Sequence, residues 1–365
     1  MRDSMPRMDR MPPNGHAKIP AWLGHEIGTL HPGCFALVMA TGIISNALFL
    51  DGPRILSDAL FAFNTAAYAW LLAATLARTV RFGRAVVADL LDPRSVFAFF
   101  TIVAASDVLG VGMHLRDFDA LALTLWLIAF IVWLALTYLS FGVLTFLNTA
   151  QGADIVEGGW LIAIVGTQSL VVLGTIVAPS LGPIGSGVFL LVHMLWGVGL
   201  ALYAIFVTLF ASRIFFLHFE PHDITPLLWV VMGAAAISAN AGATLILTDS
   251  GLPFLESMRP FVDGVTLIMW AWATWWIPML VLFGVWKHGV RGIPITYAPA
   301  LWSLVFPLGM YAAASWRLAL ATQFTPLRAI ASGMVWVALA VWAATAVGLA
   351  FASWRSYRRF AAATS

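Results

Sequence analysis

The chain has 365 residues, of which 61% are apolar and only 10% charged, and its formal net charge is +2. A soluble domain carries about 25% charged residues, so this composition excludes a soluble globular protein and points to a lipid bilayer as solvent. The single cysteine, Cys34, excludes an internal disulfide and a multi-cysteine metal site. No metal, cofactor or nucleic-acid partner is expected.

Residues 1–30 are rich in Pro, Arg and Met and hold no continuous apolar run, so they do not read as a cleaved signal peptide. Residues 1 to about 20 read as a disordered cytoplasmic tail, and Trp22 and Leu23 open a short interfacial segment. A membrane-crossing helix needs about 20 mostly apolar residues. Such segments fall at about 33–50, 57–79, 95–114, 121–147, 158–179, 186–212, 226–248, 262–286, 296–316 and 329–353. The chain is therefore expected to be an all-α integral membrane protein with ten transmembrane helices in one domain over 31–355 and a cytoplasmic tail at 356–365. The loops are short and carry turn punctuation, as at Asp51-Gly52-Pro53, Gly182-Pro183, Gly251 to Pro253 and Pro294.

Ten crossings put most of the Lys and Arg, among them Arg78, Arg81, Arg84, Arg94, Arg213, Lys287, Arg291, Arg355, Arg358 and Arg359, on the side of the two termini. Only Arg54, Arg116, Arg259, Arg317 and Arg328 fall on the other side. Positively charged loops stay in the cytoplasm, which predicts two cytoplasmic termini in the cell (plasma) membrane.

The odd-numbered spans start near 33, 95, 158, 226 and 296, a period of about 60 to 70 residues that suits a repeated helix hairpin. All the odd spans enter from the same side, so five like-oriented hairpins could surround an axis. The odd spans also carry the polar residues: Thr41, Ser45 and Asn46; Thr101, Ser106 and Asp107; Thr167, Gln168 and Ser169; Ser238 and Asn240; Ser303. Glycine and alanine interleave with them, whereas the even spans are bulkier, as in Trp126 to Trp133 and Trp270 to Trp276. The set reads as an inner, mildly polar ring of helices lining a pore. Any single Ser or Thr there has a second reading, as a hydrogen bond between packed helices.

Asp107 is the one carboxylate well inside a span, and intramembrane charges are candidates for function. It reads either as a site for a coupling proton or as a hydrogen-bonded residue near the outer water interface. Gln168 and Asn240 are amide donors suited to replacing water around an anion. His193 stands alone among apolar neighbours and reads as structural. No Lys or Arg is expected on the inner helices, which suggests weak, transient anion contacts. His218, Glu220, His222 and Asp223 crowd one cytoplasmic loop and keep open a membrane-embedded enzyme as a reading from another class.

Three stretches carry a family resemblance. They are His31-Pro32-Gly33-Cys34-Phe35-Ala36-Leu37-Val38-Met39-Ala40-Thr41-Gly42, then Pro226 to Ser238, and Trp302-Ser303-Leu304-Val305-Phe306-Pro307-Leu308-Gly309-Met310-Tyr311. Together they resemble the tellurite-resistance/C4-dicarboxylate transporter family, which includes the slow anion channels of plants. The resemblance covers about residues 30 to 355. It implies five hairpins around a pore in each protomer, three protomers side by side as a homotrimer, and a phenylalanine gate that falls on Phe306. Pro307 then supplies a kink in the gating helix. The implied activity is transport of small anions, either C4-dicarboxylates such as malate or inorganic anions, with export of an oxyanion such as tellurite or sulfite as the alternative.

Overall fold

The structure is a computed structural model and describes residues 15–147, 158–216 and 220–363. Among them there is no strand. Ten long helices dominate: α1 (Ala36–Asp51), α2 (Arg54–Arg81), α3 (Phe100–His114), α4 (Asp119–Phe146), α5 (Ile162–Val177), α6 (Gly185–Phe216), α7 (Val230–Leu247), α8 (Arg259–Gly284), α9 (Trp302–Thr322) and α10 (Pro326–Ala363). Helices satisfy their own backbone groups, which is why a chain this apolar folds into them in lipid. Nine stretches of the described residues are long and apolar enough to cross a membrane. One of these, the 59-residue Gly158–Phe216, contains both α5 and α6, which pack on each other on either side of a break at Gly182 (φ 55°, ψ −128°). Only glycine adopts that conformation without strain.

Burial separates the helices into two layers. The most apolar part of Val96–His114 is 83% buried and that of Pro226–Leu247 is 94% buried, against 22% for Arg54–Arg81 and 17% for Pro326–Ala363. The odd helices form a closed inner ring: α1 touches α3, α3 touches α5, α5 touches α7, α7 touches α9, and α9 returns to α1. Each even helix packs outside the odd helix of its own hairpin and leans on the next odd helix, α10 on α1. Each inner helix opens with a 3₁₀ turn: Pro32–Phe35, Val96–Phe99, Gly158–Leu161, Pro226–Trp229 and Pro299–Leu301. Those five turns form a second closed ring below the helices. Proline opens three of them, where its fixed φ and missing N–H cost nothing.

The inner helices approach closely where side chains are absent. A Cβ on Gly233 would lie 2.7 Å from Pro307 Cγ, and one on Gly309 would lie 2.8 Å from Ile43 Cγ2. Glycine at these positions lets α9 seat against both α7 and α1.

Several boundaries differ from the sequence expectation. The helix Gly15–Gly28 occupies part of the segment read as a tail, and α10 continues to Ala363, through residues read as tail. The two meet: Trp22 Nε1 donates to Ser356 Oγ at 3.2 Å, and the Trp22 and Tyr357 rings lie 5.7 Å apart. Tertiary docking of this kind stabilises segments whose own sequence is a weak helix signal. Residues 1–14 lie outside the described residues. The contact places the start and the end of the described chain at one end of the bundle. α9 runs to Thr322, six residues past the expected end of its span, and stops where Gln323 turns left-handed (φ 56°).

Candidate functional site

The inner ring encloses a narrow cavity in the half of the bundle away from the chain ends. Its polar lining is Asn46 from α1, Asp107 from α3, Ser169 from α5, Asn240 from α7 and Arg317 from α9, so all five inner helices contribute. The free volume is about 20 Å³, close to what one water molecule requires.

Asp107 is 1% exposed, and its Oδ2 accepts a hydrogen bond from Ser169 Oγ at 2.7 Å. Its Oδ1 has no hydrogen-bond partner among the described residues. A buried unpaired oxygen is costly unless water or a solute reaches it, and here it belongs to a residue on the cavity wall. Arg317 Nη1 donates to Asn240 Oδ1 at 3.1 Å. That bond leaves Asn240 Nδ2 as a donor. Asn46 Nδ2 donates to Val108 O at 3.0 Å and braces α1 against α3. No ion pair joins Asp107 to Arg317 among the described residues, so a cation and a carboxyl group share one cavity without contacting each other.

Arg317 corrects the expectation that the inner helices lack a basic residue. The expected span stops at 316 and puts Arg317 in the outer loop. The helix continues, with Leu318 and Ala319 buried beyond it. The readable signal was spacing: Met310, Ala313 and Arg317 recur at intervals of three and four, the period of one helix face, and all three line the cavity.

Phe306 sits four residues before Met310 on that same face. It is 3% exposed and lies about 16 Å along the helix axis from Arg317, toward the ring of 3₁₀ turns. Ser303 continues the face one turn further and is 8% exposed. Pro307 lies inside α9, where it removes one helix hydrogen bond and packs toward Gly233.

Most of the other singled-out polar residues turn outward or brace neighbouring backbone. Trp342 Nε1 of α10 donates to Thr41 Oγ1 at 2.9 Å, and Trp133 Nε1 of α4 donates to Thr167 Oγ1 at 2.8 Å. Tyr68 Oη of α2 bonds Ser106 Oγ at 2.8 Å. Ser45 and Ser57 each donate to the other's carbonyl at 2.8 Å, joining α1 to α2. Gln168 Nε2 donates to Trp196 O of α6 at 3.2 Å, and its buried Oε1 has no partner among the described residues. Thr101 donates to Ala98 O at 2.7 Å and Pro32 O at 3.3 Å. Ser238 donates to Ala234 O at 2.7 Å, and its carbonyl accepts from Trp196 Nε1 at 3.1 Å. His193 Nδ1 bonds Phe189 O at 2.7 Å. Of the loop cluster, His218 lies outside the described residues, and Asp223 pairs with Arg213 at 2.9 Å. Among the described residues no group of His, Cys, Asp and Glu is arranged to hold a metal.

Beyond the cavity, Arg116 closes the α3–α4 turn. It donates to Asp58 Oδ1 at 2.8 Å, Ser57 Oγ at 2.9 Å and Gly112 O at 3.1 Å. Burial pulls this guanidinium below its ordinary pKa, and the Asp58 carboxylate opposes that shift.

Comparison with known proteins identifies the family. Residues 29–350 match the family model described as voltage-dependent anion channel. An uncharacterised membrane protein of Mycobacterium tuberculosis strain H37Rv is 40% identical over 149 residues, which is 40% of this chain and 75% of that protein. Two uncharacterised transporters of Methanocaldococcus jannaschii are similar over most of their length. One is 27% identical across 87% of this chain and 91% of its own, and the other 26% identical across 86% and 92%. The multi-pass helical body, its motifs and this match together place the chain in the voltage-dependent anion channel family, the same family as the tellurite-resistance/C4-dicarboxylate transporters that its sequence resembles.

Proposed function

We propose that this protein moves small anions, C4-dicarboxylates such as malate or inorganic anions, across the plasma membrane along the axis of its five odd helices. The observation that carries this reading is the axial cavity, where Arg317, Asn240 and Ser169 converge from three inner helices, with Phe306 on the same face of α9 as Arg317. An intramembrane arginine on a cavity wall supplies a positive potential for an anion that has shed water. The amide of Asn240 and the hydroxyl of Ser169 offer neutral contacts that hold the anion weakly enough to release it. Phe306 then acts as the gate, its ring closing the conduit one turn below Met310, and Pro307 beside it loosens the local helix. Asp107 is the candidate proton site: protonated, it would let an anion share the cavity without repulsion. The Lys and Arg bias favours cytoplasmic termini. The resemblance implies three protomers, each with its own conduit.

Purified protein in liposomes tests this with chloride, nitrate and malate, each with and without a proton gradient. Phe306→Ala is expected to raise gradient-independent flux by roughly tenfold or more, since the apolar constriction is what stops hydrated ions. Arg317→Gln is expected to lower flux of every anion. Malate flux that needs the proton gradient, and loses that need in Asp107→Asn, would identify a coupled carrier. Absence of flux in both the wild type and Phe306→Ala would reject the reading.

A further inference from the structure

A second and much larger cavity, about 800 Å³, opens at the end of the bundle that carries both chain ends. Its walls are the helix Gly15–Gly28, the last turns of α10 and the loop before Pro299. Arg355 and Arg359 face it together, four residues apart on one helix face. Both are exposed, and among the described residues neither is ion-paired. His25, Thr296, Tyr297 and Ser356 complete the polar lining. Tyr297 Oη accepts from Trp302 Nε1 at 3.3 Å, which leaves its own O–H to donate, and burial raises its pKa and keeps that proton in place. Glu26 in the same corner accepts a hydrogen bond from Ser356 Oγ at 2.7 Å. The chemistry facing the cavity is therefore that of a phosphate site.

The rest of the lining is apolar. Phe351 is 57% exposed and Ile295 73% exposed, and both border the cavity. Next to Phe351, Trp354 is 56% exposed and carries Arg358 over its ring at 5.1 Å. Exposed aromatic rings beside arginines mark the headgroup level of a bilayer. The length of α10 agrees: its 38 residues extend about 57 Å, well beyond a hydrocarbon core of about 30 Å. The cavity thus combines exposed cations with open apolar side chains on one helix end.

We propose that this cavity seats the headgroup of an anionic phospholipid, its phosphate between Arg355 and Arg359 and its first acyl carbons against Phe351 and Ile295. A free phosphate would use the arginines and leave the apolar wall empty. The site is separate from the axial cavity, and its occupancy is read without measuring transport, so the two readings stand or fall apart.

The test is native mass spectrometry of the purified full chain in detergent, titrated with phosphatidylglycerol, phosphatidylcholine or soluble glycerol phosphate. The expected result is saturable retention of phosphatidylglycerol, with affinity reduced about thirtyfold in R355Q/R359Q, in line with the pull of two basic residues on an anionic lipid. R81Q/R84Q, which removes two exposed arginines elsewhere on the same end, is expected to bind as the wild type does. If R355Q/R359Q melts early, Phe351→Glu keeps both arginines, charges the apolar wall and is expected to weaken binding similarly. Equal retention of phosphatidylcholine, equal loss in R81Q/R84Q, or displacement of phosphatidylglycerol by an equal concentration of glycerol phosphate would overturn the proposal. The last outcome would assign the cavity to a soluble phosphate.

Discussion

Ahead of α1, His31 Nδ1 accepts the Gly33 N–H at 2.9 Å and caps the 3₁₀ turn that begins the first inner helix. Accepting requires that this nitrogen carry no proton. Burial lowers the His31 pKa, with a smaller upward pull from Asp89 and a smaller downward one from Arg78. The folded protein therefore binds fewer protons than the unfolded chain between that lowered value and about 6.5, so stability rises with pH across the window and is lost as pH falls through it. In His31→Asn the amide oxygen can accept the same N–H without titrating. The expected outcome is a smaller drop in melting temperature between about pH 7.5 and 5.5 than in the wild type, and an unchanged drop would contradict it. Nothing in the sequence around His31 announced this role. The partner is a backbone N–H two residues on, and the acidic and basic neighbours come from the end of α2 and the helix Gly83–Leu91.

At the scale of elements, one device repeats around the ring. An aromatic or hydroxyl group on each even helix is hydrogen-bonded to the odd helix of the next hairpin. Tyr68 reaches Ser106, Trp133 reaches Thr167, Trp196 reaches Ser238 O, Trp270 reaches Ser315, and Trp342 closes the circle at Thr41. This accounts for Trp133 and Trp196, which are buried, whereas Trp70, Trp272, Trp275 and Trp336 of the same outer helices are exposed and face outward. It also explains why Thr41, Ser106 and Thr167 stand on inner helices yet turn away from the axis. The sequence showed five helices rich in small polar residues, but period and composition do not separate a hydroxyl facing a conduit from one facing a tryptophan. For Trp133→Phe and Thr167→Val, a double-mutant cycle read by unfolding in mixed micelles is expected to give a coupling of about 0.6 kcal/mol, and at most about 1.7. Zero coupling would mean the bond adds nothing to the native state.

The whole molecule is a ring of five hairpins whose first and last described segments meet through Trp22, Ser356 and Tyr357. Ring closure by α9 and α10 on α1 makes the fold one cooperative body, with no free edge along which hairpins could separate. It also fixes a topological expectation, because an even number of crossings returns the C-terminus to the face of the N-terminus. Cysteines substituted at Asp117 and Asp249 should react with a membrane-impermeant maleimide from one face, and one at Arg84 from the other. Labelling of all three from one face would break the ten-crossing topology.

Composition and a period of helix hairpins determined the membrane, the helices and the alternation of an inner with an outer layer, because lipid allows an apolar chain few other solutions. Phe306 and Pro307 stood out through a motif, and Asp107 through the scarcity of charge in apolar spans. The tertiary structure alone decided which polar groups meet at the axis. Asn46, Asp107, Ser169, Asn240 and Arg317 come from five different helices, and only the rotation of each helix about its own axis separates them from Thr41, Ser106 and Thr167. That rotation is set by packing against partners distant in sequence. A hydropathy profile, which counts residues along the chain, carries no record of it.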